Sequence, residues 1–128
     1  MNKYIAELFQ NATGETKKAG EAFLQEGTPG TLMYVLRAGE VAIEVGGRVV
    51  ECVGPGSVIG EMALFDDAPR SASAVALTDC DVVAIDRRRF LFLVQETPFF
   101  ALGIMRVMAE RLRAMNRPPA PQIAMGAT

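Results

Sequence analysis

The sequence predicts a mainly β fold with flanking helices, a sandwich or jelly roll. Three observations carry that prediction. Between Glu21 and Ile85 the chain breaks into short segments of β-favouring residues. Glycine cuts these segments at regular intervals. On both sides of that region the apolar spacing switches to the period of a helix.

The elements follow in order. Ile5, Leu8, Phe9 and Ala12 recur at helical spacing, which predicts a short amphipathic helix over residues 4–12. Residues 11–20 are polar and read as a loop. Strands are expected at 22–24, 32–36, 41–45, 49–53, 74–77 and 81–85, separated by Gly27-Thr28-Pro29-Gly30, Ala38-Gly39, Gly46-Gly47, Gly54-Pro55-Gly56 and Thr78-Asp79. The Gly46-Gly47 pair suits a two-residue hairpin, whose turn needs positive φ. Asp86 is placed to cap a short helix carrying Phe90, Leu91, Leu93 and Val94. Thr97-Pro98 reads as an N-cap followed by proline at the first helical position. A longer helix then runs to about Asn116, where Arg117-Pro118-Pro119 stops it. The segments group as an N-terminal helix and loop over 1–18, one domain over 19–116, and a tail without pattern over 117–128.

Composition narrows the chemistry. The chain has 128 residues, half of them apolar, and a net charge of -2. One ordinary core fits that length. Binding to nucleic acid draws on phosphate neutralisation by Lys and Arg, and no basic excess is present, so no direct DNA contact is expected. There is no histidine. That removes imidazole acid–base catalysis and imidazole metal ligation, and an enzyme is not expected. Cys52 and Cys80 match no metal spacing and are expected as two buried, reduced thiols. No apolar run approaches the roughly 20 residues that span a bilayer, and no secretory signal opens the chain. The expectation is a cytoplasmic protein without a membrane partner.

Residues 56–73 read Gly-Ser-Val-Ile-Gly-Glu-Met-Ala-Leu-Phe-Asp-Asp-Ala-Pro-Arg-Ser-Ala-Ser. Gly60 before an apolar run predicts a tight turn opening about one turn of helix, and unpaired N–H groups at such a start attract anions. Arg70 adds a permanent charge able to bind phosphate through two donors. Pro69 restricts the backbone just before it. Glu61 repels phosphate, so beside such a site it is best explained as the acceptor for a hydroxyl, and a ribose meets that need. The plainer alternative is a surface loop in which Arg70 pairs with Asp66 or Asp67.

Ile59-Gly60-Glu61-Met62-Ala63-Leu64 and Arg70-Ser71-Ala72 resemble the phosphate-binding cassette of the cyclic nucleotide-binding domain family, with that family's spacing from Glu to Arg. Gly20-Glu21, Glu26-Gly27, Met33 to Leu36, Ala38-Gly39, Gly54-Pro55-Gly56 and Cys80 to Asp86 extend the resemblance over about residues 19–116. The resemblance implies an eight-stranded β-roll, a double-stranded β-helix, with helices at both ends. It implies that Arg70 pairs with the cyclic phosphate and Glu61 accepts from the ribose 2′-hydroxyl. Backbone N–H groups around Gly60, Ala63 and Ser71 would hold the phosphate oxygens. Met62 and Ala72 belong to the same cassette, and Val50 would form an apolar wall for the base. The implied ligand is cyclic AMP or cyclic GMP, with no metal or other cofactor. Ser71, where threonine favours the guanine nucleotide in parts of the family, leans towards cyclic AMP.

Two features depart from the family pattern. The N-terminal helical segment is short. No output domain is expected after the long helix. Within that helix Ala101, Met105, Met108, Leu112 and Met115 form a seam of about two heptads, a candidate homodimer face. Phe99, Phe100, Leu102, Ile104 and Val107 lie off the seam and are expected to cover the roll. Arg106, Arg111 and Arg113 are expected in solvent, or one of them stacked on the base. The leading expectation is a stand-alone sensor acting on an unidentified downstream protein. The alternatives are a fragment of a larger transcription factor or channel, and a degenerate domain serving only as an interaction surface.

Overall fold

A computed structural model describes residues 3–116. The chain runs α1 (Lys3–Leu8), β1 (Glu15–Lys17), β2 (Ala22–Leu24), β3 (Leu32–Ala38), β4 (Val41–Val45), β5 (Arg48–Val53), β6 (Val58–Ile59), a one-turn 3₁₀ helix (Glu61–Leu64), β7 (Ser73–Ala76), β8 (Cys80–Asp86), α2 (Arg87–Glu96) and α3 (Pro98–Asn116). Two antiparallel sheets of four strands result, one ordered β1-β8-β3-β6 and the other β2-β7-β4-β5. The expected β-roll with helices at both ends is what forms. The pairings are nested: β4 with β5, β3 with β6, β2 with β7 and β1 with β8. The roll is one long hairpin folded over on itself, with Gly46-Gly47 at its tip, both at positive φ.

The central strands β3 and β8 of the first sheet bury side chains on both faces, since successive side chains of a strand point to opposite sides. On β3, Met33 and Val35 face the helices while Tyr34 and Leu36 face the roll interior. On β8, Val83 and Ile85 face the helices while Cys80 and Val82 face inward. The helix side is closed by Ile5, Phe9, Phe90, Phe100 and Ile104, with Phe9, Phe90 and Phe100 in edge-to-face contact. The second sheet has an open outer face. Its edge strand β5 buries only Val53.

Several expectations change. The loop at 11–20 contains β1, a three-residue strand too polar to signal itself. It is fixed by its pairing to β8. Helix α1 ends at Leu8, and the turn that follows is tied down by Arg37, which donates to the Phe9 carbonyl at 2.9 Å and to Asp81 at 2.9 and 3.0 Å. Cys80 is buried, but Cys52 is exposed on β5, because strand alternation there follows the open face. In α3 the core-facing residues are Phe100, Ile104, Val107 and Met108. Phe99 and Leu102 are exposed, so they do not cover the roll. The seam is split as well: Met105 and Leu112 are exposed, while Met108 packs on the core. The side chain of Met115 and the tail 117–128 lie outside the described residues.

Asp86 caps α2 as expected, accepting from the Arg89 N–H at 2.8 Å. Asp86→Ala is expected to cost about 1 kcal/mol of stability, read as a lower urea midpoint with an unchanged slope. Thr97 closes α2 by donating its N–H to Leu93, and its carbonyl accepts from the Phe100 N–H, both at 2.8 Å. Among the described residues no single helix is long and apolar enough to cross a membrane.

Candidate functional site

The segment between β6 and β7 returns beside the segment between β2 and β3, because both are matching stations of the folded hairpin. Main-chain bonds join them: Gly27 N–H to the Arg70 carbonyl at 2.8 Å, and Arg70 N–H to the Thr28 carbonyl at 2.9 Å. The Glu26 N–H donates to the Ser73 hydroxyl at 2.9 Å. These bonds set Arg70 against Gly30 and Gly60. A Cβ on Gly30 would stand 2.2 Å from Arg70 Nε, so only glycine admits the guanidinium there.

Gly60 adopts the left-handed conformation, φ 78°, and opens the 3₁₀ turn. The expected turn is therefore present. Its carbonyl accepts from Arg70 Nη1 at 3.1 Å, and Arg70 Nη2 donates to the Leu32 carbonyl at 2.8 Å. Arg70 does not pair with Asp66 or Asp67, as the plainer reading had it. The guanidinium is half-buried and turned inward, and Asp66 accepts from the Ala68 N–H instead. Burial lowers the Arg70 pKa from its usual value, against a smaller opposite push from Tyr34. A cavity of about 240 Å³ opens beside it, lined in part by Phe23, Thr28 and Tyr34.

On the other side of Gly60, Glu61 is the one buried polar or charged residue among those described, 6% exposed. A buried carboxylate demands a charge partner. The partner is Arg111 of α3, which donates through Nη1 to Glu61 and through Nη2 to the Val58 carbonyl. Its Nε also lies 4.0 Å from Glu51 on β5. A second cavity, about 130 Å³, runs between the roll and α3, with Glu51, Val53 and Ser57 facing Val107 and Arg111.

The structure thus brings Gly60, Glu61 and Arg70 together. Ala63 is half-buried, and its N–H turns to the Gly60 carbonyl at 3.3 Å to close the 3₁₀ turn. Met62 is exposed at the rim, Ser71 is exposed, and Ala72 is half-buried. Val50 is 61% exposed, sits at the register shift of the β4–β5 pairing, and does not line this cavity. Sequence reasoning missed Glu51 and placed Arg111 in solvent. One signal was available for Arg111: it continues the stripe Phe100, Ile104, Val107, and a charge on a core-facing stripe calls for a buried partner.

Comparison with known proteins agrees with this geometry. Residues 15–97 match the family model of the cyclic nucleotide-binding domain. The cyclic AMP receptor protein of Thermus thermophilus is 35% identical over 99 residues, covering 73% of this chain and 46% of that protein. The crystal structure of the Thermus thermophilus catabolite activator protein superposes with a TM-score of 0.70 at 29% identity, over 85% of this chain and 59% of the other. A structure from work on a cyclic-GMP-dependent signalling pathway in bacterial phytopathogenesis gives a TM-score of 0.74 at 25% identity, over 88% and 94%. The chain spans about half the length of the bacterial regulators it matches. With two four-stranded sheets, flanking helices and a glycine-led cassette in place, the chain belongs to the cyclic nucleotide-binding domain family.

Proposed function

We propose that this chain is a cytoplasmic regulatory domain that binds a 3′,5′-cyclic purine nucleotide and signals through α3. One observation carries the reading: Gly60 stands between a half-buried guanidinium and a buried carboxylate. Arg70 holds only neutral carbonyls with its outer nitrogens, a pairing that a phosphate can improve upon through charge. Glu61 offers the acceptor that a ribose hydroxyl needs. Arg111 makes α3 a wall of the same site, so occupation of the cassette and the position of α3 are linked, and a ligand biases whichever helix position it contacts better. Relatives named for cyclic AMP and for cyclic GMP both support the ligand class. The output partner is a protein or a further domain acted on by α3.

Titration of the whole chain tests this. At about 100 times its dissociation constant, the right nucleotide is expected to add roughly 2.7 kcal/mol of stability, seen as a higher melting temperature. No rise with either nucleotide at saturating concentration sinks the reading. Glu61→Ala is then expected to weaken cyclic AMP by about 1.5–3 kcal/mol and its 2′-deoxy analogue much less. Equal losses for the two ligands would remove Glu61 from the ribose.

A further inference from the structure

We propose that Glu51 reads the base of the nucleotide and favours guanine over adenine. The inference rests on the cyclic-nucleotide reading above and adds the group that discriminates between ligands. Its starting point is position. Arg111 bridges Glu61 to Glu51, so Glu51 lies one guanidinium beyond the carboxylate assigned to the ribose. The base leaves the ribose at the carbon next to the 2′-hydroxyl. A ribose held at Glu61 therefore delivers its base towards the cavity under α3, where Glu51 is part of the wall.

Chemistry supplies the selection. An ionised carboxylate only accepts hydrogen bonds. Guanine presents two neighbouring donors, N1–H and the 2-amino group, which match the two oxygens of a carboxylate. Adenine presents one amino group beside a ring nitrogen that is itself an acceptor and faces the second oxygen unfavourably. The ion pair between Glu51 and Arg111 is long, 4.0 Å, and Arg111 spends its two outer nitrogens on Glu61 and Val58. Glu51 keeps acceptor capacity for an incoming donor. Val53, Val107 and Ala114 give the wall an apolar part that suits a flat ring, while Ser57, Glu110 and Arg111 complete it as polar neighbours of Glu51. This pull opposes the lean towards cyclic AMP drawn from Ser71, which is exposed.

The test is the ratio of affinities for cyclic GMP and cyclic AMP, measured by calorimetry on the full chain and on Glu51→Gln and Glu51→Ala. Both nucleotides carry the same phosphate, so any general effect of charge cancels in the ratio. Both variants are expected to shift the ratio towards cyclic AMP by about tenfold or more. Glutamine should shift it further, since its donor and acceptor together match adenine. Cyclic IMP, which lacks the 2-amino group, is expected to bind the unaltered chain more weakly than cyclic GMP, and the gap is expected to close in Glu51→Ala. An unchanged ratio in both variants, with binding intact, overturns this inference and leaves the cyclic-nucleotide reading standing. Failure of the unaltered chain to bind either nucleotide overturns both.

Discussion

Arg70→Ala is expected to lower affinity for the preferred cyclic nucleotide by about 30-fold to several thousand-fold, the range measured when one partner of a desolvated charge pair is removed. The phosphate carries a permanent negative charge and enters a cradle that excludes much of its water. Arg70→Lys keeps the charge and loses the two aligned donors, so it is expected between the two. The free protein is not indifferent to the change. Arg70 ties the carbonyls of Gly60 and Leu32 together, so Arg70→Ala also lowers the melting temperature, though the half-buried site and neutral acceptors keep that effect small. Affinity measured beside melting temperature on one sample separates the roles. Unchanged affinity with lowered stability would make Arg70 a structural tie alone.

The second large effect falls on stability without ligand. Arg111→Ala leaves the Glu61 carboxylate buried and unpaired, a situation that costs about 3–5 kcal/mol when both charges are fully buried. The Arg111 side chain is 25% exposed, which places the expected loss at the lower end or below it. At several degrees per kcal/mol for a domain near this size, the drop in melting temperature is on the order of 10 °C. Glu61→Gln in the same chain is expected to restore a good part of it, since the neutral amide removes the buried charge. If Arg111→Ala melts like the unaltered protein, the contact between α3 and the cassette contributes nothing in solution.

The roll was legible where each strand alternates or ends in glycine. The β4–β5 hairpin announced itself through Val41 to Val45 and Gly46-Gly47, and Asp86 announced α2. What stayed hidden has a common cause: long-range pairing carries no local signature. β1 is Glu-Thr-Lys, a polar triplet whose order comes from β8, more than sixty residues later in the chain. β6 has two residues. The same holds at the site. Gly60, Glu61 and Arg70 were found because the cassette is contiguous, while Arg111 and Glu51 lie on elements that meet only in three dimensions. Arg111 was placed in solvent because α3 was read without the cassette it packs on, and Glu51 was passed over because β5 was read without α3.

Nested pairing also dictates an order of assembly. The hairpin at Gly46-Gly47 closes a loop of two residues, and each further pair joins strands more distant in sequence, so loop-closure entropy favours zipping outward from that tip. β1 and β8 can join only after the chain has been made as far as Val82. On a growing chain, Arg70 meets Thr28 and Gly30 midway through that zipper, whereas Arg111 is synthesised after every strand is complete. Glu61 therefore waits for its counter-charge until the last helix arrives. Until then its carboxylate is accessible to water, and the half-made roll has its Arg70 contacts in place while the Glu61 side stays open. The contact between Glu61 and Arg111 therefore forms only when synthesis has passed the roll.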